Sequence, residues 1–227
     1  MQQTPAHQFN EDTQLLETSR RARAQTIVST LRLAYPNVKS SLTYNNHFEL
    51  LVATILSTNC DAQAVNEVTA DLFKRFPTPQ DLATTERVNI EMAVRPLGFA
   101  RQKAKSLQLA SRFLVDEFNG TVPEKMQDLM RLPGVSRKIA NFVLGEGFDS
   151  AQGLGVDNQV KRVVRRLGLA DGRSVEAVEQ KLLRIVPAEH WFEFSLLASR
   201  HGEVVCLVRQ PRCAGCQLNA ICPSAKL

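Results

Sequence analysis

Apolar residues recur at three- and four-residue intervals almost from end to end of this chain, and no stretch alternates strictly between apolar and polar. That spacing marks amphipathic helices rather than strands. The first apolar face starts at Ile27, Val28 and Leu31, so a helix is expected over about 19–34, behind a polar, loose tail over 1–18. Phe48 to Ser57 reads as a buried helix after the turn formers Asn45 and Asn46. Asp61 to Phe76 follows, with Val65, Val68, Leu72 and Phe73 apolar. Thr78-Pro79 sets an N-cap before a proline at the first helical position, opening short helices over about 79–84 and 86–94. Further helices are expected over 100–118, 123–131, 136–147, 157–168, 174–186 and 188–205. Many short helices joined by short loops make an all-α chain. No repeat of solenoid length is visible, and the glycines at 153 and 155 mark the best internal boundary.

Composition narrows the setting more than the function. At 227 residues the chain can bury a substantial core as one large domain or two small ones. Its 44% hydrophobic and 22% charged content is ordinary for a soluble globular protein. The first residues lack a basic-then-apolar signal pattern, and the longest apolar run, Leu50 to Leu56, is too short to span a bilayer. A cytoplasmic location is expected. The net charge of +5 favours a polyanionic partner only modestly. Its clustering says more: Arg20, Arg21 and Arg23 form one group, Lys161, Arg162, Arg165 and Arg166 a second, Arg209 and Arg212 a third.

Four of the five cysteines fall between Cys206 and Cys222, spaced C-x6-C-x2-C-x5-C. Without a secretory signal, such crowding points to metal ligation rather than disulfides. Four thiolates suit either a structural zinc or a [4Fe–4S] cluster, and the spacing alone leaves both open. Cys60 stands apart at the end of an apolar helix and reads as a small buried hydrophobe.

The stretch Leu132-Pro-Gly-Val-Ser-Arg-Lys-Ile-Ala-Asn141 breaks one helix and starts another within a few residues. The hairpin Pro133-Gly134-Val135-Ser136 can present backbone N–H groups at the start of the next helix, a setting that suits a phosphate. Lys138 stands directly behind them. Taken alone it is a solvated helix lysine, just as Asp157 is taken alone an N-cap.

Together with Val156-Asp-Asn-Gln-Val-Lys-Arg-Val163, the pair His201-Gly202 and the cysteine tail, this motif resembles the endonuclease III family of DNA glycosylase/AP lyases over roughly residues 20–225. The resemblance implies a two-lobed helix-hairpin-helix fold. A six-helix barrel would occupy 40–150, with the hairpin at about 124–147. A discontinuous lobe of 19–39 and 151–227 would hold one [4Fe–4S] cluster on Cys206, Cys213, Cys216 and Cys222. DNA would lie in the cleft between the lobes. It further implies that Lys138 attacks C1′ and that Asp157 supports the positive sugar. Asn59, Phe99, Pro133 to Ser136, Arg137, Arg209 and Arg212 would contact DNA, with a monovalent cation at the hairpin when DNA is bound. The partner implied is double-stranded DNA with damaged bases or abasic sites, and the enzyme is expected to be monomeric and located with the DNA.

The chain departs from the family at several positions. Ser136 stands where a glycine is common, so strain is expected there if φ is positive. Ile139 replaces a threonine, Gln159 a histidine, and Asn59 a longer glutamine. Phe99 holds a wedge position and suits intercalation or core packing. These changes leave three alternatives beside oxidised-pyrimidine excision: a monofunctional glycosylase, a damage-binding member without turnover, and a redox carrier.

Overall fold

The computed structural model describes residues 5–36 and 38–225, of which 5–17 are described by backbone alone. Among them the chain is helical with no strand, as its apolar spacing predicts. The helices are α1 (Pro5–Ala34), α2 (His47–Leu56), α3 (Ala62–Arg75), α4 (Pro79–Thr84), α5 (Arg87–Val94), α6 (Ala100–Phe118), α7 (Met126–Leu129), α8 (Arg137–Gly147), α9 (Asn158–Arg166), α10 (Val175–Ile185) and α11 (Trp191–Val204). They divide into two compact units, one of residues 40–152 and one of 1–39 with 153–227.

The unit of residues 40–152 is built around α2, whose Phe48 to Leu56 are all buried. A helix apolar on every side must be central, and α3, α6 and α8 pack against it. Each fully buried leucine, such as Leu50, Leu51 and Leu56, contributes about 1.5–3 kcal/mol. The helix starts follow the side chains that cap them: Asn46 Oδ1 accepts from the Glu49 N–H, and Asp61 Oδ1 from the Ala64 N–H, each at 2.9 Å. Thr78 and Asp81 form a reciprocal capping box. The helix expected over 123–131 is shorter, a single turn at α7. Gln152 fixes its entry by accepting the Met126 N–H at 3.0 Å and donating to the Glu124 carbonyl at 3.1 Å.

The other unit packs α1 against α10 and α11, and α11 against α9, over Ile27, Leu31, Val163, Phe194 and Leu197. Its first helix corrects the expected loose tail: α1 begins at Pro5, while residues 1–4 lie outside the described residues. Proline is at home at a first helical position, and the polar helix formers behind it extend a helix that has no apolar stripe to announce it. No helix of the described residues is long and apolar enough to cross a membrane.

Candidate active site and cysteine pocket

In the 40–152 unit, a tight turn joins α7 to α8. The Val135 N–H closes it on the Leu132 carbonyl at 3.0 Å. Gly134 has φ +87°, and a Cβ there would lie 2.7 Å from the Ser106 Cβ, so only glycine lets the turn sit on α6. A Gly134→Ala variant is expected to lose about 2–4 kcal/mol of stability from left-handed strain and overpacking; an unchanged thermal melt would count against this reading.

The strain expected at Ser136 does not arise. Its φ is −84°, and its Oγ caps α8 by accepting the Ile139 N–H at 3.4 Å. Serine is a favoured residue at that position. Val135 is placed differently from a surface contact: it is buried in the core and its N–H is engaged in the turn, so it anchors the hairpin. Gly134 and Ser136 are exposed, Pro133 and Arg137 half-buried. Lys138 is exposed on the first turn of α8, and the next two residues, Ile139 and Ala140, are core. Ile139 thus belongs to the packing of α8 rather than to the surface around the amine.

On other loops of this unit, Asn59 and Phe99 are both exposed and both left-handed, with φ +59° and +47°. Phe99 is 75% exposed, which removes the core-packing alternative. A bulky residue at positive φ is uncommon and costs on the order of 1–2 kcal/mol. Cys60 is not a plain hydrophobe: half-buried, its thiol donates to the Leu97 carbonyl at 3.0 Å. Lys103, which the sequence reading passed over, is buried beside it. Its Nζ donates to the Leu56 carbonyl at 2.6 Å, the Thr58 carbonyl at 3.2 Å and Cys60 Sγ at 2.9 Å. One signal was available, since Lys103 lies on the same helical stripe as Leu107, Ala110 and Leu114.

In the other unit, Asp157 caps α9. Its Oδ1 accepts the Val160 N–H at 2.7 Å and its Oδ2 the Ser199 hydroxyl at 3.1 Å. The carboxylate is half-buried and held from two sides, so its direction is fixed. Ser199 on α11 reaches it because α9 and α11 approach closely at Gly202, where a Cβ would lie 2.9 Å from the Gln159 Cβ. Gln159 is therefore part of a helix contact.

Cys206, Cys213, Cys216 and Cys222 line one pocket, together with Arg166 and His201. Burial pushes the Cys216 thiol up from its ordinary value. The Leu218 N–H opposes this, and the nearby thiols of Cys206, Cys222 and Cys213 add to the rise. Cys216 Sγ accepts the Leu218 N–H at 3.4 Å and lies 3.6 Å from His201 Nε2. His201 is buried with its Nδ1 3.0 Å from the Tyr35 hydroxyl, and burial pushes its pKa down to about 4. Among the described residues, no three His, Cys, Asp or Glu side chains close on a point that could hold a single metal ion.

The basic stripe of α9 has a role that charge alone does not reveal. Arg166 donates to the carbonyls of Leu207 at 2.6 Å and Val208 at 3.1 Å, and to Cys206 Sγ at 3.3 Å. Arg162 donates to the Cys206 carbonyl at 2.9 Å and the Gly202 carbonyl at 2.8 Å. These two guanidinium groups hold the loop between the first two cysteines, while Arg209 and Arg212 on that loop are exposed, as is Arg165.

Residues 52–188 match the HhH-GPD superfamily of base excision DNA repair proteins. The chain is 43% identical over 208 residues to endonuclease III of Synechocystis sp., covering 92% of this chain and 95% of that one. It is 34% identical over 202 residues to endonuclease III of Escherichia coli K12, covering 89% and 95%. Its structure resembles that of a trapped endonuclease III–DNA covalent intermediate, with a TM-score of 0.85, 33% identity, and coverage of 90% and 96%.

Proposed function

The chain belongs to the HhH-GPD superfamily of base excision DNA repair proteins, and from that premise we propose that it is a DNA glycosylase that also cleaves the strand at abasic sites, with Lys138 as its nucleophile. The observation that carries the reading is the position of Lys138. It is exposed on the first turn of α8, directly behind the Gly134 hairpin. The solved relative whose fold the chain shares was captured as a covalent intermediate with DNA.

The chemistry requires a base removed from the stack. The unprotonated Nζ of Lys138 attacks C1′. The glycosidic bond breaks, and the base leaves with its electron pair and takes up a proton. Ring opening gives a Schiff base between Nζ and C1′. Loss of a C2′ proton then expels the 3′ phosphate by β-elimination, and water releases the enzyme. In this proposal Asp157 supports the positive charge on the sugar, its direction set by Val160 and Ser199. Gly134, Ser136 and the N-terminus of α8 grip phosphate, a contact that positions without reading sequence. A monovalent cation between hairpin carbonyls and phosphate belongs to the same proposal. Arg137, Arg209 and Arg212 add charge along the strand, while Asn59 and Phe99 occupy the space left by the base. Oxidised pyrimidines are the proposed substrates.

A [4Fe–4S] cluster on the four cysteines is also proposed. The donor set fits: four thiols ring one pocket, with N–H groups of Leu218 and Arg166 directed at sulfur, whereas a single ion needs donors closing on one point. Cys206 and Cys213, as two of the cluster's ligands, would hold both ends of the loop carrying Arg209 and Arg212, while Arg162 and Arg166 tie that loop to α9. The test of the proposed activity is borohydride reduction during turnover on duplexes carrying oxidised pyrimidines or an abasic site. A covalent protein–DNA adduct is expected. Release of base without any adduct would instead favour a monofunctional glycosylase, and binding with neither would favour a damage sensor.

A further inference from the structure

Asn59 and Phe99 are two of four exposed non-glycine residues of the 40–152 unit on left-handed backbone, and one pair, buried Lys103 and half-buried Cys60, touches both of their loops. Lys103 is 6% exposed. Its head group carries three donors, and three acceptors face them: the Leu56 and Thr58 carbonyls and Cys60 Sγ. Those acceptors bracket Asn59. The Cys60 thiol then donates to the Leu97 carbonyl, and the Lys103 backbone N–H donates to the Phe99 carbonyl at 3.0 Å. The loop displaying Asn59 and the loop displaying Phe99 are thus joined twice, once through sulfur and once along the lysine itself.

We infer that Lys103 and Cys60 act as a positioning pair that fixes how Asn59 and Phe99 are presented, and so set how well the protein distinguishes damaged from intact duplex. The inference rests on the reading above that Asn59 and Phe99 meet DNA. The physical reason is the left-handed backbone at both positions. Phenylalanine does not hold φ +47° by preference, and strain of this kind persists only where surrounding bonds over-determine it. Neither residue of the pair needs to touch DNA to act in this way.

The test uses the full chain and two duplexes, one carrying a stable abasic-site analogue and one intact, and reads the ratio of the two affinities. Cys60→Ala removes the sulfur bridge and is expected to lower that ratio by about tenfold, the worth of one well-made buried bond. Cys60→Ser keeps a donor and an acceptor and should restore most of it. Lys103→Met should lower the ratio further, and Cys60 keeps the test valid if that variant does not fold. The decisive comparison is a cycle with Asn59→Ala and Phe99→Ala combined: in that background Cys60→Ala should cost nothing more, since nothing remains to be displayed. A full additional loss in that background, or an unchanged ratio for Cys60→Ala alone, overturns the pair's role. If instead the Asn59→Ala, Phe99→Ala protein discriminates as well as the wild type, the DNA role of those two residues falls, and this inference falls with it.

Discussion

Replacement of Lys138 by alanine is expected to abolish both strand cleavage and the borohydride adduct while leaving the fold and abasic-site binding in place. The nucleophile is the one group of the proposed mechanism for which hydroxide or water is a poor substitute, and its removal should slow single-turnover cleavage by at least about a thousandfold. That corresponds to roughly 4 kcal/mol of lost transition-state stabilisation. The melt should hardly move. The side chain is exposed, and the packing of α8 rests on Ile139, Ala140, Val143 and Leu144 behind it. Substitutions at such surface positions usually stay within about 0.5 kcal/mol. A retained adduct would show that another amine does the work, and retained cleavage with a lost adduct would show that cleavage does not pass through a Schiff base.

The second large effect is expected at the cysteine pocket. As purified, the wild type should carry about four irons per chain and be brown. Cys216→Ser keeps an acceptor for the Leu218 N–H but gives up a thiolate, so the cluster should be lost. A bound metal contributes its binding energy to folding, and the unit containing the pocket should lose more than about 4 kcal/mol. Hydrogen exchange separates the units: amides of α9 and α11 should lose protection, while those of α2 and α8, packed in their own core, should keep it. A colourless, zinc-bearing wild type would refute the cluster, and equal protection in both proteins would refute its structural role.

The helices were legible because their apolar stripes and their caps are local. Asn46, Asp61, Thr78 and Ser174 each mark a start that the backbone then takes. The beginning of α1 was hidden because helix-forming polar residues carry no stripe. Ser136 was misjudged for a physical reason: one residue separates a position that demands φ +87° from one that wants a hydroxyl cap, and the glycine requirement falls on Gly134 alone. Arg162 and Arg166 read as a basic face because charge is visible in a sequence and unsatisfied carbonyls are not. The partners of those two arginines lie some forty residues downstream, at the end of α11 and in the irregular loop after it. The pair Lys103 and Cys60 was missed on the same grounds, each having its partner in a different segment.

The division of the chain also bears on how it is made. Residues 40–152 are contiguous and can collapse onto α2 as soon as they emerge from the ribosome. Helix α1 has no such opportunity. The cluster that buries Ala24, Ile27, Val28 and Leu31 draws its other fully buried members from beyond residue 153. At ordinary rates of synthesis that leaves them without their partners for on the order of ten seconds. During that interval the first helix is an apolar surface in search of cover, and a newborn chain halted anywhere in the middle would present it to chaperones or to other halted chains.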